Sequence, residues 1–228
     1  MATFVLVHGA WTGGWGYQEV ARSLRQAGHE VFAPTLTGLG EREHLASPAI
    51  DLGTHIKDVV NLIEYERLDD IILCGHSYGG MVVTGVAAVL GERIRTLFYL
   101  DAFLPEDGQS LWDIANDAAR QHYIDAQRDS PGMVAPLMST GETRQSRRIN
   151  KHPLLTLLEP VRFTGAEKKV RNRTYVYATR DAPTVFTGFY DKVRQDPSWR
   201  VHTVPTGHVV MVEDPQGLVR LLLEEVDR

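Results

Sequence analysis

The stretch Gly75-His76-Ser77-Tyr78-Gly79 follows directly on the apolar run 71–74. A G-x-S-x-G pentapeptide between a strand and a helix is typical of the nucleophile elbow, a sharp turn that lifts a serine hydroxyl above the edge of a sheet. The run before it is typical of a buried strand, and the apolar stretch 81–90 predicts a helix after it. A serine that only caps this helix is the alternative. The flanking pattern favours Ser77 as a nucleophile.

The bulk composition is that of an ordinary globular protein. The chain has 228 residues, of which 43% are hydrophobic and 23% are charged, and its formal net charge is −5. This length fits one domain, or one core with an inserted subdomain. The mild acidity gives no electrostatic reason to bind nucleic acid or an anionic membrane, so we expect a small molecule as the partner. The sequence leaves open whether two copies form a homodimer.

Cysteine usage and the N-terminus bear on metal sites and location. The single cysteine, Cys74, cannot form an internal disulfide, and we expect it to be a buried apolar residue. No CxxC pair or His-x-x-x-His cluster indicates a metal site. The first apolar run, 4–7, is too short for a signal peptide and has no basic residues before it. We therefore expect a cytoplasmic enzyme.

Strand and helix signals alternate along most of the chain. A helix is predicted after Thr54 as N-cap, and another after Asp214 as N-cap with Pro215 in its first turn. This alternation predicts an α/β fold, with a mostly parallel sheet covered by helices on both faces. The predicted strands are 3–8, 30–33, 71–74, 96–100, 174–178 and 200–204.

The region 105–170 interrupts this alternation. It is rich in helix signals, contains no convincing strand, and separates two strands that we expect to be close neighbours. We interpret it as a helical cap inserted over the mouth of the site, with 1–104 and 171–228 forming the core. A surface insertion unrelated to the substrate is the alternative.

A serine nucleophile needs a base, and in this architecture the base follows the last strand. His208 lies in the segment Pro205-Thr206-Gly207-His208, where Gly207 lets the backbone turn just before the imidazole. His202 is the rival, but it falls inside the last predicted strand. The position after the strand favours His208 as general base.

Two aspartates compete to orient that base. Asp181 follows the predicted strand 174–178 after a short turn, at the sheet edge where open α/β folds keep their sites. Asp101 ends the preceding core strand, and some hydrolases take their acid from that position. We favour Asp181 over Asp101.

The reaction also needs hydrogen-bond donors aimed at the oxyanion of a tetrahedral intermediate. One donor is predicted to be the backbone N–H of Tyr78, the residue after the nucleophile. The second should come from an early loop beside the elbow, and Ala10 in His8-Gly9-Ala10-Trp11 matches that position. Trp11, Phe103 and Trp112 are candidates for an apolar substrate pocket.

With these residues in place, the chain resembles the α/β-hydrolase superfamily, and within it the plant methyl-esterase and hydroxynitrile lyase family and its bacterial esterase relatives. The resemblance implies Ser77, Asp181 and His208 as the catalytic triad, Ala10 and Tyr78 as oxyanion donors, and no cofactor. The matching segments are Phe4-Val5-Leu6-Val7-His8-Gly9-Ala10-Trp11, Gly13-Gly14-Trp15, Gly75-His76-Ser77-Tyr78-Gly79-Gly80-Met81, Ala102-Phe103-Leu104-Pro105 and Gly207-His208.

Two departures from the family pattern narrow the expected reaction. The lyases carry a threonine just after the histidine that ends the first strand, and a lysine directly after the catalytic histidine. Those positions here are Gly9 and Val209, so lyase activity is disfavoured. We expect a carboxylesterase that cleaves a small ester through an acyl-serine. A carbamate or amide hydrolase with the same triad is one alternative, and a small-ligand sensor of the same fold is another.

Overall fold

The computed structural model describes residues 1–137 and 148–228. Within these residues, the strands are β1 (Thr3–Val7), β2 (Glu30–Phe32), β3 (Ile71–His76), β4 (Ile94–Leu100), β5 (Met133–Val134), β6 (His152–Pro153), β7 (Asn172–Ala178) and β8 (Trp199–Val204). Six of them are parallel and form one sheet in the order β2-β1-β3-β4-β7-β8. The other two, β5 and β6, pair antiparallel as a separate ribbon.

Helices connect the parallel strands, and their caps follow from local sequence. The prediction of Thr54 as an N-cap is wrong, because Asp51 caps the helix by accepting the backbone N–H of Thr54 at 2.7 Å. The prediction of Asp214 as an N-cap is confirmed, with the N–H of Gly217 donating to its carboxylate. The helices are α1 (Gln18–Gln26), α2 (Leu52–Tyr65), α3 (Gly79–Leu90), α4 (Leu111–Ile114), α5 (Asp117–Asp129), α6 (Leu155–Leu158), α7 (Thr187–Val193), α8 (Val210–Glu213) and α9 (Pro215–Leu223).

The sheet separates two hydrophobic cores. Alternate side chains of each strand point to opposite faces, so Phe4 and Leu6 of β1 pack with α1 and α9, whereas Val5 and Val7 pack on the side of α2 and α3. The central strand β3 is buried along its whole length. The predicted α/β fold with a mostly parallel sheet and helices on both faces is confirmed.

The segment between β4 and β7, called the insertion below (105–170), carries α4, α5, α6 and the β5–β6 ribbon. The expectation that it contains no strand is wrong. Each strand of the ribbon has only two residues, which is too short for an alternating sequence pattern to show. The predicted cap includes residues 138–147, which lie outside the described residues.

Cys74 lies in β3 and is fully buried, as expected. In the described part of the chain, the thiol has one hydrogen-bond partner, the hydroxyl of Tyr17, 3.9 Å from the sulfur. Burial raises the pKa of the Cys74 thiol to about 12. Since the thiolate is the reactive form, this cysteine is chemically inert in the folded protein.

Candidate active site

Ser77 occupies a strained turn between β3 and α3. Its φ is +54°, a left-handed value that non-glycine residues rarely adopt. The turn is fixed on both sides, because the N–H of Ser77 donates to the carbonyl of Leu100 and its carbonyl accepts from the N–H of Phe103. A Cβ at Gly75 would lie 2.6 Å from the carbonyl oxygen of Gly79. The first glycine of the motif is therefore required by the closeness of the turn.

His208 lies in the loop after β8, and its imidazole contacts Asp101. Nδ1 of His208 is 2.7 Å from Oδ2 of Asp101, which is 1% exposed and directly follows β4. The other oxygen, Oδ1, accepts the backbone N–H of Ala178 at 3.1 Å. Phe186 stacks on the imidazole, with ring centroids 4.9 Å apart and planes 10° from parallel. The ring is thus fixed by a carboxylate at one edge and an aromatic ring on one face.

His76, which precedes the candidate nucleophile, ties the elbow to the histidine loop. Its Nε2–H donates to the backbone carbonyl of His208 at 2.9 Å, and the two imidazole rings are 4.5 Å apart. Burial lowers the pKa of His76 well below its usual range, so the ring stays neutral. Ser77 directly follows His76 in the chain. His76 therefore holds the backbone of His208 next to Ser77.

The expected contact between Asp181 and His208 is not formed in the structure. The side chain of Asp181 is 63% exposed, and its nearest charged partner is the neighbouring Arg180, at 3.8 Å. Backbone bonds from Thr179 to Val204 and from Arg180 to Thr206 hold this turn against the end of β8, and the mostly exposed Asp181 side chain lies against Gly207. The rival aspartate, Asp101, takes the position beside the imidazole.

His202, the rival base, lies inside β8, as the sequence indicates. Its Nε2 is 3.8 Å from a carboxylate oxygen of Glu224, at the end of the molecule where α9 terminates. The structure therefore brings His208 and Asp101 together next to the elbow, and it leaves His202 and Asp181 outside this group.

The predicted oxyanion donors lie in loops that touch each other. A Cβ at Gly9 would be 3.0 Å from the Cβ of Ser77, so the loop after β1 packs directly against the elbow. Within residues 1–137 and 148–228, the backbone N–H groups of Ala10 and Tyr78 donate to no other protein group. Tyr78 also stands at the N-terminus of α3, where the helix dipole favours negative charge. Their role as oxyanion donors stays a prediction.

The three candidate pocket residues lie in different surroundings. Phe103 donates its backbone N–H to the carbonyl of Ser77, and its ring packs edge-to-face on Phe186, which stacks on His208. The indole N–H of Trp11 donates to the carbonyl of Val134 in the insertion. Trp112 packs within the insertion, under the guanidinium of Arg120. The contacts of Phe103 thus reach His208 through Phe186.

Four histidines are buried in the structure, namely His8, His55, His76 and His152. Burial is the main cause that lowers the pKa of each, and the pKa of His8 falls from 6.5 to about 4. Protonation of His8 would also cost the hydrogen bond that its Nε2 accepts from Leu36 N–H at 3.0 Å.

We expect the free energy of unfolding to fall as the pH drops from about 6.5 towards 4, because the unfolded chain then binds protons that the native protein does not bind. Each such histidine contributes a slope of up to about 1.4 kcal/mol per pH unit. Urea unfolding at about pH 7, 6 and 5 measures this loss, and His8→Asn should reduce the slope. An unfolding free energy that is constant over this range would contradict the prediction.

Two features of the described residues bear on cofactors and membranes. No cluster of three or more His, Cys, Asp or Glu side chains that could hold a metal ion occurs in the described ranges. In the same ranges, no helix has the length and apolar character needed to cross a membrane.

Comparison with known proteins identifies the family of the chain. A profile described as the alpha/beta hydrolase family matches residues 4–221. A carbendazim hydrolyzing esterase of Nocardioides sp. is 40% identical over 238 residues, which cover 97% of this chain and 98% of that protein. Methylesterase 4 of Arabidopsis thaliana is 31% identical over 105 residues, covering 45% of this chain and 40% of its own.

Solved structures share the fold. An extracellular alpha/beta-hydrolase from a Paenibacillus species superposes with a TM-score of 0.84 at 23% identity, covering 99% of each chain. These matches confirm the resemblance that the sequence motifs indicate. The chain belongs to the alpha/beta hydrolase family, and its relatives include plant methylesterases.

Proposed function

We propose that this hydrolase cleaves a small carboxylic ester through an acyl-serine intermediate on Ser77. The observation that carries the proposal is the 2.7 Å contact between His208 Nδ1 and the buried carboxylate of Asp101, next to the strained elbow. A carboxylate only accepts hydrogen bonds, so Nδ1 carries the proton in this pair. The lone pair of Nε2 is then available to accept a proton from a serine hydroxyl.

The reaction follows from these roles. Ser77 Oγ forms a bond to the ester carbonyl carbon while its proton moves to Nε2 of His208, and the carbonyl electron pair becomes an oxyanion. The N–H groups of Ala10 and Tyr78 donate hydrogen bonds to that oxyanion, and one such donor lowers the barrier by about 3 kcal/mol. His208 then gives its proton to the departing alcohol oxygen. Water attacks the acyl-serine by the same steps and releases the acid.

Asp101 stabilises the imidazolium that forms in each step. Its second oxygen is occupied by the N–H of Ala178, so the carboxylate has little freedom to turn away from the imidazole. The low exposure of Asp101 strengthens its attraction to a protonated ring, since water screens the two charges poorly there. In this proposal the triad is Ser77, His208 and Asp101.

A carbamate is the second candidate substrate class. The relative that is 40% identical over nearly its whole length is named a carbendazim hydrolyzing esterase. Carbendazim is a methyl carbamate carried on an aminobenzimidazole, so its carbonyl can be attacked by the same serine. The carbamate nitrogen donates electrons to the carbonyl, and this makes both attack and deacylation slower than for an ester.

A fluorophosphonate probe tests the covalent step directly. We expect peptide mass spectrometry to find the phosphonyl group on Ser77, with the wild-type chain labelled and Ser77→Ala unlabelled. Pre-incubation with a p-nitrophenyl ester or an aryl methyl carbamate should slow labelling, and the ratio of the two effects ranks the substrate classes. Ester cleavage that continues in fully labelled protein, or a label on a different residue, would overturn the proposal. Tight binding of the ester without turnover would point to a ligand sensor instead.

A further inference from the structure

The residue that follows Ala10 has an unusual backbone. Trp11 has a φ of +63°, a left-handed value that a residue with a bulky side chain rarely adopts. Such a conformation persists only where the surrounding structure fixes it. The proposed oxyanion donor, the backbone N–H of Ala10, lies one peptide before the N–H of Trp11. Contacts that fix Trp11 therefore also fix the direction of the Ala10 N–H.

The insertion supplies the groups that fix Trp11. The backbone N–H of Trp11 donates to Nδ1 of His152 at 3.4 Å, and its carbonyl accepts the N–H of Asn150 at 3.1 Å. Its indole N–H donates to the carbonyl of Val134 at 2.9 Å. Both strands of the β5–β6 ribbon, or the residues just before them, therefore hold one residue of the core loop.

His152 is built to accept a hydrogen bond from Trp11. Its other nitrogen, Nε2, is 2.7 Å from the hydroxyl of Thr156, and that hydroxyl donates to the carbonyl of Pro153 at 2.7 Å. Nε2 must then carry the proton, which leaves Nδ1 as the acceptor. Burial lowers the pKa of His152 well below its usual range, so the ring stays in this neutral form.

The same ring also contacts the other proposed donor residue. The imidazole of His152 packs edge-to-face on the Tyr78 ring, with centroids 4.7 Å apart. The hydroxyl of Tyr78 donates to Nδ1 of His55 at 2.8 Å, and Nε2–H of His55 donates to the carbonyl of Thr37 at 2.9 Å. His152 is fully buried. It touches Tyr78, one proposed oxyanion donor, and Trp11, the residue that follows the other donor, Ala10.

We propose that His152 is a positioning residue for the oxyanion hole, through which the β5–β6 ribbon sets the direction of the Ala10 N–H by way of Trp11. The inference rests on the proposed acyl-serine mechanism and adds a residue to it. His152 touches no reacting atom in this scheme. Its absence should weaken binding of the tetrahedral transition state and leave binding of the ground-state ester almost unchanged.

The test compares His152→Phe with His152→Asn. Phenylalanine fills the same space without an acceptor, whereas the amide oxygen of asparagine can accept the Trp11 N–H in place of Nδ1. For a p-nitrophenyl ester, we expect His152→Phe to lower kcat by about 10- to 100-fold with KM within about threefold of wild type. The dissociation constant of a trifluoromethyl ketone, which forms a tetrahedral adduct with serine, should rise by the same factor as kcat falls. His152→Asn should recover a large part of both losses.

The control is His44→Phe, the same change at an exposed histidine outside the insertion and the site. It should leave kcat, KM and ketone affinity at wild-type values. A folded His152→Phe with unchanged kcat and ketone affinity would overturn the inference, as would a loss confined to KM. If His152→Phe does not fold, Thr156→Val is the deciding variant. It removes the hydroxyl that accepts the Nε2–H of His152 and so fixes the tautomer of that ring. We expect it to lower kcat in the same way. Turnover that survives Ser77→Ala would instead overturn the proposed function.

Discussion

Replacing Ser77 with alanine is expected to lower kcat for a short p-nitrophenyl ester by about 10⁶-fold. The hydroxyl is the only atom of the proposed triad that bonds to the substrate carbon, so the remaining residues cannot substitute for it. Activity left in the variant should exceed the uncatalysed rate only by what the oxyanion donors and substrate binding supply, about 10³- to 10⁴-fold. Steady-state kinetics with the purified variant measures this loss.

The control for that measurement is Ser198→Ala. Ser198 is an exposed serine before β8, and its replacement makes the same chemical change far from the elbow in the chain. We expect wild-type kcat and KM for this variant. Circular dichroism should show Ser77→Ala to be folded, because alanine keeps the Cβ of serine in the turn. Near-normal turnover in folded Ser77→Ala would end the acyl-serine proposal.

Replacing Asp101 with asparagine is expected to lower kcat by about 10⁴-fold. The N–H of Ala178 keeps an oxygen of the side chain facing it, so the new amide nitrogen must face Nδ1 of His208. That nitrogen donates, and it would force Nδ1 to become the acceptor and Nε2 to carry the proton. The imidazole could then no longer take a proton from Ser77. Kinetics at neutral pH, with KM determined separately, measures the effect.

Asp181→Asn is the matched control, since it makes the same change at the aspartate that the sequence favours. Its side chain is mostly exposed and pairs with Arg180, so we expect kcat within about threefold of wild type. The reverse result, a large loss in Asp181→Asn and a small one in Asp101→Asn, would show that the loop after β7 moves onto the imidazole in solution. The pair of variants therefore decides between the two aspartates.

The sequence is sufficient to predict the sheet, the elbow and the histidine loop, because each has a strong local signal. Ser77 lies in a motif flanked by a strand and a helix pattern, and His208 follows a glycine after the last strand. The choice between Asp101 and Asp181 depends on the direction in which two similar loops leave the sheet. That direction is set by the positive φ of Asp101 and by its bond to Ala178, which are tertiary features without a sequence signal.

The insertion shows a second limit of sequence reasoning. The β5–β6 ribbon has two residues per strand, and it contacts Trp11, which lies more than a hundred positions away in the chain. No sequence motif surrounds His152. Its proposed positioning role can be recognised only from the fold, which places it against Trp11 and Tyr78. The helix cap at Asp51 is a smaller case, because Asp51 and Thr54 are both good capping residues and only the hydrogen bond distinguishes them.

The burial of Cys74 has a practical consequence for following the insertion in solution. Since the chain has one cysteine and its thiol is inaccessible, a maleimide dye finds no native target on the folded protein. A cysteine placed at the exposed Ile124 of α5 would carry the only label. Fluorescence from that single reporter would follow movements of the insertion during turnover, with no need to first remove a residue from the central strand.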